Sequence, residues 1–462
     1  MIAPGNNIAI LMMLIWPIVT LIIFRATSFE RAIVWSLLGA ALVLPVLTEI
    51  DLPGVNVNKD ILSIFMTFFV VVMGHKKGYL RLPKTSAIRF LIYVALAIPI
   101  LTMLTNTEPQ VGIERTRPGL TPVELIGMLT EWGIQILAFI LGYCFLNTVE
   151  MHKTILRILV VSGLVYVLIV VYETRMSPHI HSRLYGYFPH DWLQQLREGG
   201  WRSVGFLGHG LLVSMFMMIS ATAAATLYRE KSNVWVLPPL ITLLILLGAL
   251  VLNKSWAPII YGAGTVSLII FFSTRFQIKI AWLLVLFALS FPILRGGDFL
   301  PVDAAVELVA PINEQRASSL SARFENEEIL LNWANRKPIF GWGTWGRNRP
   351  MTEDGIFLEV VSDGAWIITL GKYGWLGYLT LIGLFGLPVF YTLKTARLSA
   401  EDIRASACLA ILIAIILVDQ LPNSSMRPWM LLFSGALVGL YEAKKNATAA
   451  KIQNPHRLKA TG

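Results

Sequence analysis

The sequence predicts an all-α, polytopic bundle of about 12–13 transmembrane helices with one large external loop containing short helices. Three observations carry this reading. The chain is 55% hydrophobic and only 14% charged, whereas soluble domains carry about 25% charged residues. The apolar residues fall in repeated blocks close to the ~20 residues that a bilayer span requires. A polar interval, 301–359, then separates two long apolar regions. A membrane β-barrel would instead alternate apolar and polar residues in strands of ~10, and this chain does not.

The first block, near 8–24, is long enough to span and has no basic leader, so it reads as a helix and not as a cleavable signal. Blocks near 32–48, 59–74, 88–105, 122–148 and 154–172 complete an N-terminal set over 1–172. An external loop at 173–203 follows. In it, Trp192, Leu193 and Leu196 could share one face of a short helix lying on the bilayer surface. Central helices occupy 204–294, near 204–228, 234–252, 256–273 and 277–294. The large loop at 295–364 should hold a helix from about Ser319 to Asn335, because Leu320, Phe324, Leu331 and Ala334 are helically spaced. Pro338, Gly341 and Gly343 end it. C-terminal helices over 365–442 lie near 365–393, 405–420 and 427–442, and a basic tail covers 443–462. The block from 365 is long, so a short re-entrant or interfacial piece is expected before Gly374 and the true span after it.

Charge orients these helices. Arg25 and Arg31, then Lys76, Lys77, Arg81 and Lys84, then Arg229 and Lys231, then Lys394, Arg397 and Arg404, and finally the tail, all fall at one end of the bundle. The N-terminus and the short connections at the other end carry few. This bias places the N-terminus outside and the tail inside, and the two long loops outside, which in a bacterium is the periplasm. The formal net charge of +10 would suggest nucleic acid in a soluble protein. Here the positive-inside bias accounts for much of it, and no nucleic-acid partner is expected. Cys144 and Cys408 both lie inside apolar blocks, so neither a structural disulfide nor a zinc site is expected. No Asp-rich motif lies on the external side, so no metal or cofactor is expected either.

Three groups of residues could carry chemistry. Arg202 stands where the first external loop enters a span, and a guanidinium there can hold a phosphate bidentately or can snorkel to headgroups. His209 lies further in, as an acid–base group or as a helix-packing residue. Arg323 sits on the external-loop helix, either as an anion ligand or paired with Glu327 at i+4. Arg316, Arg336, Lys337, Arg347 and Arg349 make that loop basic, which suits an anionic ligand. Glu359 and Asp363 are carboxylates at the membrane edge. Asp363 could act as a base, or Ser362 or Asp363 could cap the following helix. Trp333, Trp342, Trp345 and Trp366 could stack on sugar faces or anchor the interface.

Together these segments resemble the O-antigen ligase/polymerase superfamily, bacterial inner-membrane proteins that act on polyprenyl-diphosphate-linked glycans at the periplasmic face. Arg202-Ser-Val-Gly-Phe-Leu-Gly-His is similar to the family's R-x-x-G-x-F-x-[HN] entry to a span. Ser321-Ala-Arg-Phe, Trp333 and Pro338-Ile-Phe-Gly-Trp-Gly are similar to its S-x-R, W and P-[LI]-x-G-x-G. Gly374-Trp-Leu-Gly is like its G-[IL]-[IL]-G. The resemblance covers about 200–395. Ligases of this family carry His-Asn about eleven residues before the closing glycine, where this chain has Asp363-Gly. That departure fits the more divergent polymerases of exopolysaccharide or capsule assembly better than a ligase transferring O-antigen to lipid A-core.

The resemblance implies a metal-independent membrane glycosyltransferase that polymerises exopolysaccharide, capsule or O-antigen repeat units. Arg202 and Arg323 would clamp the diphosphate. Asp363 would be the base, with Glu359 in reserve. His209, Glu359, Arg316, Trp333 and Trp342 would contact substrate. The implied partners are a polyprenyl-diphosphate-linked oligosaccharide, membrane lipids, and flippase and chain-length regulator proteins. A secondary transporter would need inverted repeats and midplane charges; no such repeat is evident, and the charges cluster at the outer edge. A non-catalytic scaffold of an envelope-assembly complex would tolerate loss of Arg202 and Arg323.

Overall fold

A computed structural model describes residues 5–453 except 77–78, 114, 198, 235–236, 312–313, 353 and 399–401. Every block expected to span is occupied by a helix. Asn6 caps α1 (Asn7–Ala26), accepting from the amides of Ile8 and Ala9. A tight turn leads to α2 (Phe29–Val43). Strands β1 (Ile50–Leu52) and β2 (Val55–Val57) pair antiparallel, and Asn58 then caps α3 (Lys59–Val71). After α4 (Ser86–Leu104), β3 (Gln110–Val111) pairs with β4 (Thr116–Arg117). Thr121 and Glu124 form a capping box that opens α5 (Pro122–Phe145), and Thr148 caps α6 (Val149–Met176).

The first long loop contains α7 (Ile180–Tyr185) and the hairpin of β5 (Leu196–Arg197) with β6 (Gly200–Trp201). The central helices are α8 (Gly210–Arg229), α9 (Pro239–Leu252), α10 (Trp256–Phe271) and α11 (Thr274–Gly296). The large loop holds α12 (Val302–Val309) and α13 (Glu314–Ala334). The chain closes with α14 (Ala365–Leu398), α15 (Arg404–Asp419) and α16 (Leu431–Gln453).

Among the described residues, seven helices are long and apolar enough to cross a membrane: α1, α4, α5, α6, α8, α11 and α14. Apolar helices α9 and α10 are shorter. At ~1.5 Å per residue such helices reach about 20–24 Å, less than the ~30 Å hydrocarbon thickness. Several helices begin or end elsewhere than the hydropathy predicts: α6 spans Val149–Met176 where 154–172 is expected, α9 starts at Pro239 where 234 is expected, and α16 continues to Gln453 into the segment expected as a tail. The helix expected from 204 starts at Gly210, because 203–209 wraps a buried carboxyl instead. The helix expected to reach 48 stops at Val43. In the first long loop, the surface helix predicted around Trp192 is a short 3₁₀ turn running into the β5–β6 hairpin. Trp192 packs there on Phe188 and Trp201, at 4.6 and 5.3 Å between ring centroids.

The connections sort into two ends, as the alternating helices require. At one end the Asn6 amide donates to Tyr185 O, the Ser203 amide to Asn253 Oδ1, the Asn106 side chain to Gly341 O and the Ala365 amide to Asn423 O. At the other, Lys153 pairs with Glu230, His152 with Ser406, and Thr85 with Glu442. α8 runs through the middle, buried along nearly its whole length against α6, α9 and α10. α15 is buried along nearly its whole length. α5 and α16 approach closely through Gly142, Gly435 and Gly439. Cys144 and Cys408 are buried and free. This core holds the N-terminal ends of α8 and α14 at the same end of the bundle, the end that carries the long loops.

Candidate functional site

The entry to α8 is built on Glu173, near the end of α6. Its side chain is fully buried, and Oε2 accepts from Ser203 Oγ and from the amides of Val204 and Gly205, each at 2.8 Å. Oε1 accepts from the Ile180 amide. Phe206 N donates to Tyr166 Oη, and Lys59 Nζ donates to Phe206 O at 2.8 Å. The segment from Arg202 to His209 is therefore a backbone nest closed around a carboxyl. Replacing Glu173 with alanine would strand several buried donors, each costing about 1–3 kcal/mol. Thermal unfolding in detergent should show Glu173→Ala well below wild type and Glu173→Gln between them.

Arg202 hangs from this nest. It is buried, and its Nη2 donates to Gln194 O at 2.8 Å and Gln195 Oε1 at 3.3 Å, while its Nε has no hydrogen-bond partner among the described residues. Gln195 Oε1 also accepts from the Gly210 amide, tying the arginine to the start of α8. Burial pushes the guanidinium down to about 10, so it remains a cation at neutral pH. His209 caps α8, with Nδ1 accepting from the Leu211 amide, and its ring packs on His190 at 4.6 Å. Burial and the Arg202 charge push it down to about 3. A neutral, capping imidazole cannot supply positive charge to a phosphate.

The Pro338–Gly343 loop and the first part of α14 form one interlock. α14 breaks at Gly374, where φ is 66° and ψ −169°, a conformation open essentially to glycine alone. Below the break, the carbonyls of Gly371 and Lys372 accept from the amides of Trp342 and Gly343. Above it, the amides of Trp375 and Leu376 donate to the carbonyls of Pro338 and Ile339. A Cβ on Gly374 would lie 2.3 Å from Ile339 O. The P-I-x-G-x-G loop thus satisfies the backbone groups that the helix break exposes, and the expected short piece before Gly374 is a helix in its own right.

Trp333 and Trp342 stack in parallel at 4.6 Å. Trp333 Nε1 donates to Arg347 O, and Trp342 Nε1 to Trp333 O. Arg336 lies over the Trp333 ring at 4.9 Å and Lys337 over the Trp342 ring at 4.8 Å. The pair is a staple of the loop with cations over its rings, an arrangement that leaves little ring surface for a sugar.

The loop places Arg323 and Asp363 together. Arg323 Nε lies 3.1 Å from Asp363 Oδ2, and each side chain is about 40% exposed. Asp363 does not cap α14: the Ala365 and Trp366 amides donate to the carbonyls of Asn423 and Gln420 instead. Those carbonyls belong to a turn folded around Asp419, which accepts from Asn423 and Ser425.

Beneath the pair lie two residues that the sequence reading did not place in the site. Glu327 pairs not with Arg323 but with Arg295 at the end of α11, Nε to Oε2 at 3.9 Å. Trp366 Nε1 donates to Glu327 Oε1 at 3.4 Å. Arg295 donates to Phe324 O at 3.0 Å. Burial pushes the Glu327 carboxyl up to about 7 against the opposing pull of Trp366 and the two arginines. A signal was present: Glu327 falls in the gap between Phe324 and Leu331 on the apolar stripe of α13, where a leucine would be ordinary.

No hydrogen bond or ion pair among the described residues joins Arg202 to Arg323 or Asp363; the three share one end of the bundle. Glu359 is exposed. Arg316 lies in the first turn of α13, and its side chain is outside the described residues. No group of three His, Cys, Asp or Glu suited to a metal ion occurs among the described residues. No protein-family model matches the chain, and no curated protein matches it.

Proposed function

We propose that this multi-pass membrane protein transfers a glycan from a polyprenyl-diphosphate donor to a sugar hydroxyl at the external face of a bacterial inner membrane, polymerising lipid-linked repeat units. The observation that carries this reading is the Arg323–Asp363 pair, held at the N-terminal end of a broken span, at the same end as Arg202. The charge on Arg202 and Arg323 would stabilise the departing diphosphate, whose own phosphates make protonation unnecessary. Asp363 would hold Arg323 in place with one oxygen and the acceptor with the other. The ordered segments resembling O-antigen polymerases and ligases support the same chemistry, and the aspartate at the ligase histidine position favours polymerisation.

The product pattern of a deletion strain tests the reading. Single lipid-linked repeat units should accumulate; finished polymer left unattached would indicate a ligase, and an unchanged glycan profile would refute the proposal. Orientation gives a second test. A reporter that fluoresces only in the cytoplasm should light up when fused after Gly462 and stay dark within 310–350, because the basic connections lie at the end opposite the long loops. The reverse pattern would move the site to the cytoplasm and remove the proposed substrate from reach.

A further inference from the structure

We propose that Glu327, seated behind the Arg323–Asp363 pair, is the group that takes the proton from the acceptor hydroxyl. The assignment rests on the glycosyl-transfer reading and divides the labour of its two carboxylates. Asp363 has one oxygen committed to Arg323. Glu327 has an uncommitted one: Oε2 is buried and makes no hydrogen bond among the described residues, and Arg295 Nε, 3.9 Å away, makes none among them either. Glu327 and Arg295 each expose only about a tenth of the side chain or less. Two buried polar groups that face each other across a gap too long for a hydrogen bond are costly to leave so. A hydroxyl oxygen set to one side of this gap, about 2.8 Å from each atom, would accept from Arg295 Nε and donate to Glu327 Oε2, satisfying both.

The position suits the task. Glu327 is one helical turn from Arg323 on α13, so a donor diphosphate on Arg323 brings its anomeric carbon to the same side of the helix. The groups facing Glu327 from the packed elements are Arg295 from α11, with Asp298 beyond it, Arg323 from α13, Asp363 from the approach to α14, and Trp366 from α14. In the step, the acceptor O–H proton passes to Glu327 Oε2 and the acceptor oxygen bonds to the anomeric carbon. The bond from that carbon to the diphosphate oxygen breaks, and its electron pair leaves with the diphosphate. A carboxyl raised to about 7 by burial serves as a base only once ionised, so the rate should climb with pH through about 7 and level off above it.

The test uses the full chain in lipid nanodiscs, supplied with the polyprenyl-diphosphate glycan that accumulates when the chain is deleted. Glu327→Gln keeps the shape and the acceptor oxygen for Trp366 but cannot ionise. It should fold as wild type does and lower the rate about 10²–10⁴-fold. Glu327→Asp should retain part of the rate with its pH limb displaced, which a purely structural carboxyl would not produce. Infrared titration supplies a readout that needs no substrate: a carboxyl band ionising near pH 7 in wild type should vanish in Glu327→Gln. Wild-type turnover and pH profile in Glu327→Gln, or a band that survives the substitution, overturns the assignment while glycosyl transfer stands. A wild-type protein that consumes no polyprenyl-diphosphate glycan overturns both.

Discussion

Arg323→Ala is expected to lower product formation by at least about 10²–10³-fold while the protein folds and inserts normally. The two halves of this expectation have separate grounds. Arg323 and Asp363 are each about 40% exposed, and an ion pair so open to solvent contributes only about 0–1 kcal/mol to stability. The fold therefore does not depend on it. The proposed glycosyl transfer would depend on it, because a diphosphate leaving group needs fixed positive charge where its own charge develops. Arg323→Lys should recover little, since an ammonium cannot engage two phosphate oxygens with the fixed fork of a guanidinium. Asp363→Asn is the companion. The α14 amides are satisfied by Asn423 and Gln420, so the change has no capping role to spoil, and any loss of rate reports on the site. Initial rates with the lipid-linked donor, at matched amounts of monodisperse protein, decide the matter. Full polymer synthesis by Arg323→Ala would refute the clamp.

Gly374→Ala is expected to have the largest effect on folding. The residue sits at φ 66° and ψ −169°, and a Cβ there meets the Ile339 and Pro338 carbonyls at 2.3 and 2.5 Å. Backbone atoms cannot swing aside as a side chain can. Relief requires pulling Pro338–Gly343 off the break, which would leave the Gly371 and Lys372 carbonyls and the Trp375 and Leu376 amides unpaired at the membrane edge. The combined cost is about 3 kcal/mol or more. Gly248→Ala is the control, because a methyl there meets nothing within 4 Å in the middle of α9. Thermal unfolding in detergent should separate the two widely. A Gly374→Ala protein that melts within a degree or two of wild type would show that the interlock does not hold the break.

Much of the frame was legible before any coordinates. Block lengths predict a helix in each apolar block but not the short α7 and α12 of the loops, the helical spacing of Leu320, Phe324, Leu331 and Ala334 predicts α13, and the long block after 364 predicts a break at Gly374. The site was legible only in part. The resemblance singles out Arg323 and Asp363, and the structure pairs them, but the cap that Asp363 could have supplied is replaced by carbonyls more than fifty residues away. In sequence Trp333 and Trp342 suit sugar stacking or interfacial anchoring equally, and they stack on each other, because aromatic residues look alike in sequence whether their faces are open or covered. The i+4 spacing offers Arg323 as one candidate partner for Glu327, whereas Arg295, on another helix, is its partner.

The sequence by itself determined what depends on local chemistry: which segments are apolar enough to leave water, which connections carry cationic charge, and where the backbone must break. Hydrophobic transfer and charge bias act segment by segment, so order along the chain is enough to read them. Only the tertiary structure decided which polar groups face each other. Glu173 inside the Val204–Gly205 nest, the loop at Pro338–Gly343 locked to the broken α14, and the opposed, unsatisfied atoms of Arg295 and Glu327 each join residues far apart in the chain. Burial and hydrogen bonding are properties of neighbours in space, and the packing of α11, α13 and α14 sets those neighbours.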